Sequence, residues 1–109
     1  MPISEGKVLP PYSDTAPERP ELDASSGAVV VEFGSNECGY CRQALPHITE
    51  AMTSVTAQHF RIQDGKGRRL GRSFGVKLWP TLIFLHNGKE VARVVRPESA
   101  NEIMLAFKK

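Results

Sequence analysis

A chain of 109 residues with 40% hydrophobic and 24% charged side chains has the length of one domain and an ordinary globular make-up. Its net charge of +2 is too small to point to nucleic acid or to an anionic membrane surface. No apolar run approaches the roughly 20 residues of a membrane span, and Met1 to Lys7 carry no hydrophobic signal core, so the chain is expected to be cytoplasmic.

Five of the eight prolines, Pro2, Pro10, Pro11, Pro17 and Pro20, fall in the first twenty residues. Proline donates no ladder hydrogen bond and breaks helix interiors, so residues 1–22 read as an extended, proline-rich arm ahead of a domain over 23–109. Three readings of the arm stay open: a loosely packed terminus, a strand laid on a sheet edge, or a partner-binding segment. A short helical turn is possible around Glu18 to Ser25.

The pattern sharpens at Ala28. Ala28 to Phe33 is a β-branched run of the kind that forms a strand covered on both faces. Cys41, Leu45, Ile48, Met52 and Val55 then recur at alternating spacings of four and three, which predicts one apolar face of a helix reaching about Ala57. Pro46 lies inside that helix, where a kink is expected. Phe60 to Gln63 fits a second strand, and a short helix is expected near Leu70 to Phe74. Thr81 to Leu85 reads as the next strand. Asn87-Gly88, a pair suited to a two-residue hairpin turn, leads into Glu90 to Val95. Ser99 to Glu102 has capping-box spacing and predicts a final helix to Phe107 that buries Ile103, Met104 and Phe107. The expected fold is α/β: a central mixed sheet built from a βαβ unit, a helix, a β-hairpin and a C-terminal helix.

Cys38 and Cys41 are the only cysteines, and they fall where the first strand gives way to the helix. A cysteine in the first turn meets unpaired backbone N–H groups and the positive end of the helix dipole, which favour a thiolate. Cys38 is therefore the candidate nucleophile, and Cys41, a turn further in on the apolar face, the resolving thiol. Zinc usually takes four ligands, and with one cysteine pair and His47, His59 and His86 scattered, no metal is expected. Asp64 to Arg72 is a basic loop, Lys66 to Arg72 carrying its cations. It lacks a P-loop pattern, so it reads as solvated or as a docking site for an acidic partner.

From about residue 25 onward the chain resembles the thioredoxin superfamily. The features that agree in order are Glu32-Phe33 ahead of Cys38-Gly39-Tyr40-Cys41, Pro46 after the second cysteine, Trp79-Pro80-Thr81 opening the next strand, and Asn87-Gly88 in the hairpin. The resemblance implies a thioredoxin-like fold with helices on both faces of the sheet. It also implies a cis Pro80 facing the cysteines, and a backbone at Trp79 that pairs with an extended substrate. Gly39, Tyr40, Trp79, Pro80 and Thr81 are accordingly the candidate substrate-binding residues. Glu32 matches the family's buried acidic residue, which would take a proton from Cys41, its pKa raised toward neutrality by burial. An ion pair with Arg61 would oppose that shift.

Several positions depart from the family pattern. Gly34 and Glu37 stand where the family's tryptophan-rich surround would be, and Glu37 sets a negative charge beside Cys38. Tyr40 replaces a central proline, and Gly39-Tyr40 is similar to the dipeptide of periplasmic disulfide isomerases. Arg96-Pro97 replaces a glycine and narrows the groove. The reading that follows is a thiol–disulfide oxidoreductase reducing protein disulfides in the cytosol, with a disulfide oxidase or isomerase, or a non-catalytic docking module, as alternatives. No cofactor is implied. The expected partners are disulfide-containing protein substrates and a recycling reductase or thiol pool, for a chain acting as a monomer, without nucleic acid or membrane.

Overall fold

Valine side chains are stiff at χ1 and pack well on a pleated surface, and Ala28–Gly34 forms an inner strand of a four-stranded sheet. The computed structural model of the chain describes residues 9–108. In chain order the elements are α1 (Arg19–Asp23), β1 (Ala28–Gly34), α2 (Gly39–Ser54), β2 (Gln58–Gln63), α3 (Arg69–Ser73), β3 (Thr81–His86), β4 (Lys89–Val95) and α4 (Ala100–Phe107). The sheet order is β2-β1-β3-β4, with β1 parallel to β2 through the α2 crossover and antiparallel to β3. The β3–β4 hairpin turns on Asn87 and Gly88, both at positive φ (52° and 83°), as that dipeptide favours.

Alternation along β1 divides two cores. Val29, Val31 and Phe33 pack with Leu22, Ile62, Phe74, Ile83 and Leu85 on the side of α1 and α3. Val30 packs with Ala44, Ile48, Met52, Leu82, Phe84 and Ile103 on the side of α2 and α4. Helices therefore cover both faces, and a side chain at position 32 must lie on the α2 face.

The buried face of α2 is Cys41, Ala44, Ile48, Ala51 and Met52, while Leu45 is exposed. Ala44 and Ala51 thus take places in the buried stripe, and the expected Leu45 does not. The helix stops at Ser54, earlier than the periodicity suggests, because Val55 turns extended (φ −114°, ψ 147°). Ser99 caps α4 by accepting from the Glu102 N–H at 3.2 Å, and Ile103 is fully buried with Met104 and Phe107 partly so.

Around Ser13 the arm lies along the outer edge of β2. The Ser13 N–H donates to the Arg61 carbonyl at 2.9 Å and the Gln63 N–H donates to the Ser13 carbonyl at 2.9 Å, a single parallel bridge that covers part of an open edge. Asn36 clasps the next residue back: the Tyr12 N–H donates to Asn36 Oδ1 at 2.8 Å, and Asn36 Nδ2 donates to the Tyr12 carbonyl at 3.1 Å. Tyr12 is buried. Of the three readings of the arm, the edge-lying one describes this stretch; residues 1–8 lie outside the described residues.

Candidate active site

β1 ends at Gly34, and four residues later Cys38 occupies the N-cap of α2, with its backbone still extended (φ −92°, ψ 121°). Its sulfur stands where a serine or aspartate oxygen would cap: the Cys41 N–H donates to Cys38 Sγ at 3.2 Å. Both cysteines are free thiols; Cys38 is half-buried and Cys41 buried. One turn of helix thus sets an accessible sulfur over a hidden one. Burial pushes the Cys41 thiol up to about 11. The hydrogen bond with Cys38 acts in the same direction, and a Ser35 backbone contact and the Tyr12 side chain partly oppose it.

Behind Cys41, Glu32 is fully buried, and three side chains are its partners. Register explains two of them. β2 runs parallel to β1 with Arg61 opposite Glu32 and His59 opposite Val30, so both side chains share the α2 face. Arg61 Nε and Nη2 donate to the two carboxylate oxygens at 3.0 and 2.9 Å, a bidentate pair, and His59 Nε2 lies 2.9 Å from Oε1. The third partner is the Tyr12 hydroxyl, which donates to Oε2.

The expectation that burial lifts Glu32 toward neutrality is corrected here. Burial does raise its pKa, but the hydrogen bonds and charges of His59 and Arg61 outweigh it and hold the carboxyl below the usual carboxylate range. Arg61 is itself spread over the Tyr12 ring, its Cζ 4.1 Å from the centroid, and its Nη1 donates to the Pro10 carbonyl.

The rim is built from the loop before β3. The Trp79–Pro80 peptide bond is cis. Trp79 is half-buried, its indole N–H donating to Asp64 Oδ2 at 2.9 Å. Asp64 is fixed in turn, because its N–H donates to the Gly34 carbonyl at 2.7 Å. Its carboxylate also lies so close over Gly71 that a Cβ there would meet an oxygen at 2.5 Å. Pro80 is buried, and the Thr81 side chain turns inward, its hydroxyl donating to the Leu78 carbonyl at 2.6 Å. Of the expected substrate-binding residues, Gly39 and Tyr40 are exposed and Trp79 half-buried, whereas Thr81 offers no side chain to a visitor.

Arg96 reaches across this rim. Its guanidinium lies 3.6 Å over the Tyr40 ring, and its Nε donates to the Trp79 carbonyl at 2.8 Å. Its φ of 51° is the left-handed region that favours glycine. In the basic loop, Arg68 Nη2 donates to Asp14 Oδ1 at 2.8 Å, tying loop to arm.

Sequence reasoning missed Tyr12 and His59. His59 had a usable signal: it lies two residues before Arg61 on a strand whose other positions, Phe60 and Ile62, face the opposite core. Tyr12 had none, since a lone aromatic between Pro11 and Ser13 has no periodicity to place it.

The family model described as Thioredoxin matches residues 17–109. The solved structure of thioredoxin 2 from Pseudomonas aeruginosa PAO1 in its reduced form superposes with a TM-score of 0.82 at 50% sequence identity, covering 93% of this chain and 94% of that one. Thioredoxin-1 of Saccharomyces cerevisiae is 32% identical over 82 residues, which are 74% of this chain and 80% of that protein. The probable protein disulfide-isomerase A4 of Caenorhabditis elegans is 32% identical over 66 residues, and there the match spans only 11% of the larger protein. Among the described residues, no helix is long and apolar enough to cross a membrane.

Proposed function

The chain belongs to the thioredoxin family, and from that premise we propose that it is a thiol–disulfide oxidoreductase that reduces protein disulfides in the cytoplasm. The observation that carries this reading is the cysteine pair itself: Cys38 half-buried at the helix N-cap, with the N–H of buried Cys41 on its sulfur at 3.2 Å.

The Cys38 thiolate attacks one sulfur of a substrate disulfide, and the other substrate sulfur leaves as a thiolate. Cys41 then loses its proton to solvent and attacks Cys38 Sγ. The mixed disulfide breaks, the second substrate sulfur departs with the bonding electrons, and a Cys38–Cys41 disulfide remains. A reductase or thiol pool returns that disulfide to the dithiol. Glu32 acts in this scheme as a fixed anion that organises the groups behind Cys41, because its lowered pKa makes it a poor acceptor for a proton from a thiol near 11. Gly39, Tyr40, Trp79 and Pro80 receive the substrate.

The test is turnover of an insulin-type disulfide. Cys38→Ser abolishes it, and Cys41→Ser traps the substrate as a mixed disulfide on Cys38. Turnover that survives Cys38→Ser sinks the proposal. A second reading, an oxidase or isomerase, has the disulfide-isomerase relative and the Gly39-Tyr40 dipeptide in its favour. The reduction potential separates the two: about −270 mV fits a reductant and about −120 mV an oxidant.

A further inference from the structure

We infer that the Tyr12 hydroxyl is the hydrogen-bond donor that stabilises the Cys41 thiolate in the resolving step, which makes the arm part of the active site. The inference rests on the thiol-exchange reading above and adds a residue to it.

Three observations carry it. First, the Tyr12 oxygen and the Cys41 sulfur meet over Gly34. A Cβ added at Gly34 would lie 2.6 Å from the hydroxyl oxygen and 2.9 Å from the sulfur, so the two heteroatoms share one small space that glycine leaves open. Second, Tyr12 is held there from both ends. Its backbone is clasped by Asn36 (2.8 and 3.1 Å), its ring is stacked under Arg61 (4.1 Å), and its neighbour Ser13 is bridged to β2. Third, the Glu32 carboxylate does not depend on this hydroxyl alone. The hydroxyl donates to Glu32 in the reduced protein, but Glu32 keeps Arg61 and His59 at 2.9–3.0 Å if that bond is given up.

A phenol hydroxyl has a single proton to give and serves one acceptor at a time. While Cys41 is a neutral thiol, the proton is best placed on the carboxylate. When the thiol loses its proton to solvent and the sulfur becomes an anion, the Tyr12 O–H can turn to it, and the carboxylate remains paired. Cys41 is 3% exposed, so few water molecules can do this work instead. Burial and the neighbouring Glu32 charge hold the phenol itself protonated, so it donates without ionising. The Tyr12 contribution to the Cys41 titration is in the direction of the thiolate. No atom of the exchange changes hands at Tyr12: the new bond is Cys41–Cys38, the broken bond is Cys38–substrate, and the electron pair leaves with the substrate sulfur.

The experiment follows the Cβ chemical shift of Cys41 against pH in Cys38→Ser protein, with and without Tyr12→Phe. Loss of the donor raises the Cys41 midpoint by about one pH unit. In protein with both cysteines, Tyr12→Phe slows resolution of a preformed Cys38 mixed disulfide about tenfold, while the rate at which Cys38 forms it is unchanged. An unchanged or lowered Cys41 midpoint overturns the inference, because a space-filling ring or an accepting oxygen gives those results. Should Tyr12→Phe fold poorly, fluorotyrosine in a Tyr40→Phe background labels Tyr12 alone. Its more acidic hydroxyl is a stronger donor and lowers the midpoint, and no change there is equally fatal. The thiol-exchange reading fails separately, by turnover in Cys38→Ser, and that outcome leaves the Cys41 titration standing as a measurement of Tyr12.

Discussion

Arg61 and Arg96 do the same three things next to the cysteine loop and differ in one. Each lies over a tyrosine ring, Arg61 at 4.1 Å from Tyr12 and Arg96 at 3.6 Å from Tyr40. Each donates to a backbone carbonyl, of Pro10 and of Trp79 respectively. Both hold an aromatic residue beside the sulfurs. But Arg61 is 8% exposed and paired with the fully buried Glu32, whereas Arg96 sits half-buried at the rim. Burial decides what each contact is for. In a dry site an unpaired charge is costly, so the Arg61 cluster is fixed; at the wet rim a guanidinium can be moved aside by whatever docks there.

The largest effect should come from removing the buried arginine. Arg61→Met leaves the Glu32 carboxylate in a dry pocket with His59 and Tyr12 only, and one-sided removal of a buried pair costs about 3–5 kcal/mol. Denaturant unfolding of the reduced protein measures it. The Glu32 carboxyl should also rise, since burial is then opposed by the hydrogen bond and charge of His59 alone, without those of Arg61. A loss below about 1 kcal/mol would put Arg61 in the same class as an exposed pair and erase the contrast.

A smaller, pH-dependent effect comes from the carboxylate side. Glu32 has a folded-state pKa below its unfolded value, so the stability it supplies is complete above the unfolded value and is lost as pH falls through the folded one. The unfolded value lies near pH 4.3, which sets the upper end of that window at about pH 4. Glu32→Gln should be destabilised at pH 7 by about 1–3 kcal/mol, because a neutral amide replaces an anion between Arg61 and His59. The gap to the unaltered protein should then narrow as pH drops below about 4, where the carboxyl of the unfolded chain takes up its proton before that of the folded protein does. A gap that stays constant from pH 7 to pH 3 would show that the carboxylate charge contributes nothing and that only its shape matters.

These two experiments also mark what the sequence could and could not disclose. The sheet and its two long helices were legible because local patterns determine them: the β-branched run at Val29–Val31, the three-and-four spacing from Cys41 to Met52, the Asn87-Gly88 turn and the Ser99 cap. The cysteine pair was legible because its placement at a strand–helix junction is local too. Glu32 was legible as a position, but its state was not. That state depends on register, which sets Arg61 opposite it on β2, and on a tyrosine twenty residues upstream that no periodicity fixes. Leu45 shows the same limit in the core, where Ala44 and Ala51 lie in the buried stripe and it does not. What depends on pairing between distant segments is written in the sequence only as possibilities.

The smallest effect on stability, and the sharpest on the groove, should come from Arg96→Gly. The substitution gives up a guanidinium–ring contact of about 0.5–1 kcal/mol and the bond to the Trp79 carbonyl. It also relieves a non-glycine residue held at φ 51°, worth about 1–2 kcal/mol. The terms are of opposite sign and similar size, so the unfolding midpoint should change by less than about 1 kcal/mol in free energy. The effect at the rim has no such cancellation. With Arg96 gone, the Trp79 carbonyl is open to a donor from an extended substrate, and KM for a neutral disulfide peptide should fall several-fold with kcat little altered. A KM that rises instead would mean that Arg96 is itself a substrate contact, and the rim would then resemble the buried site more than it differs from it.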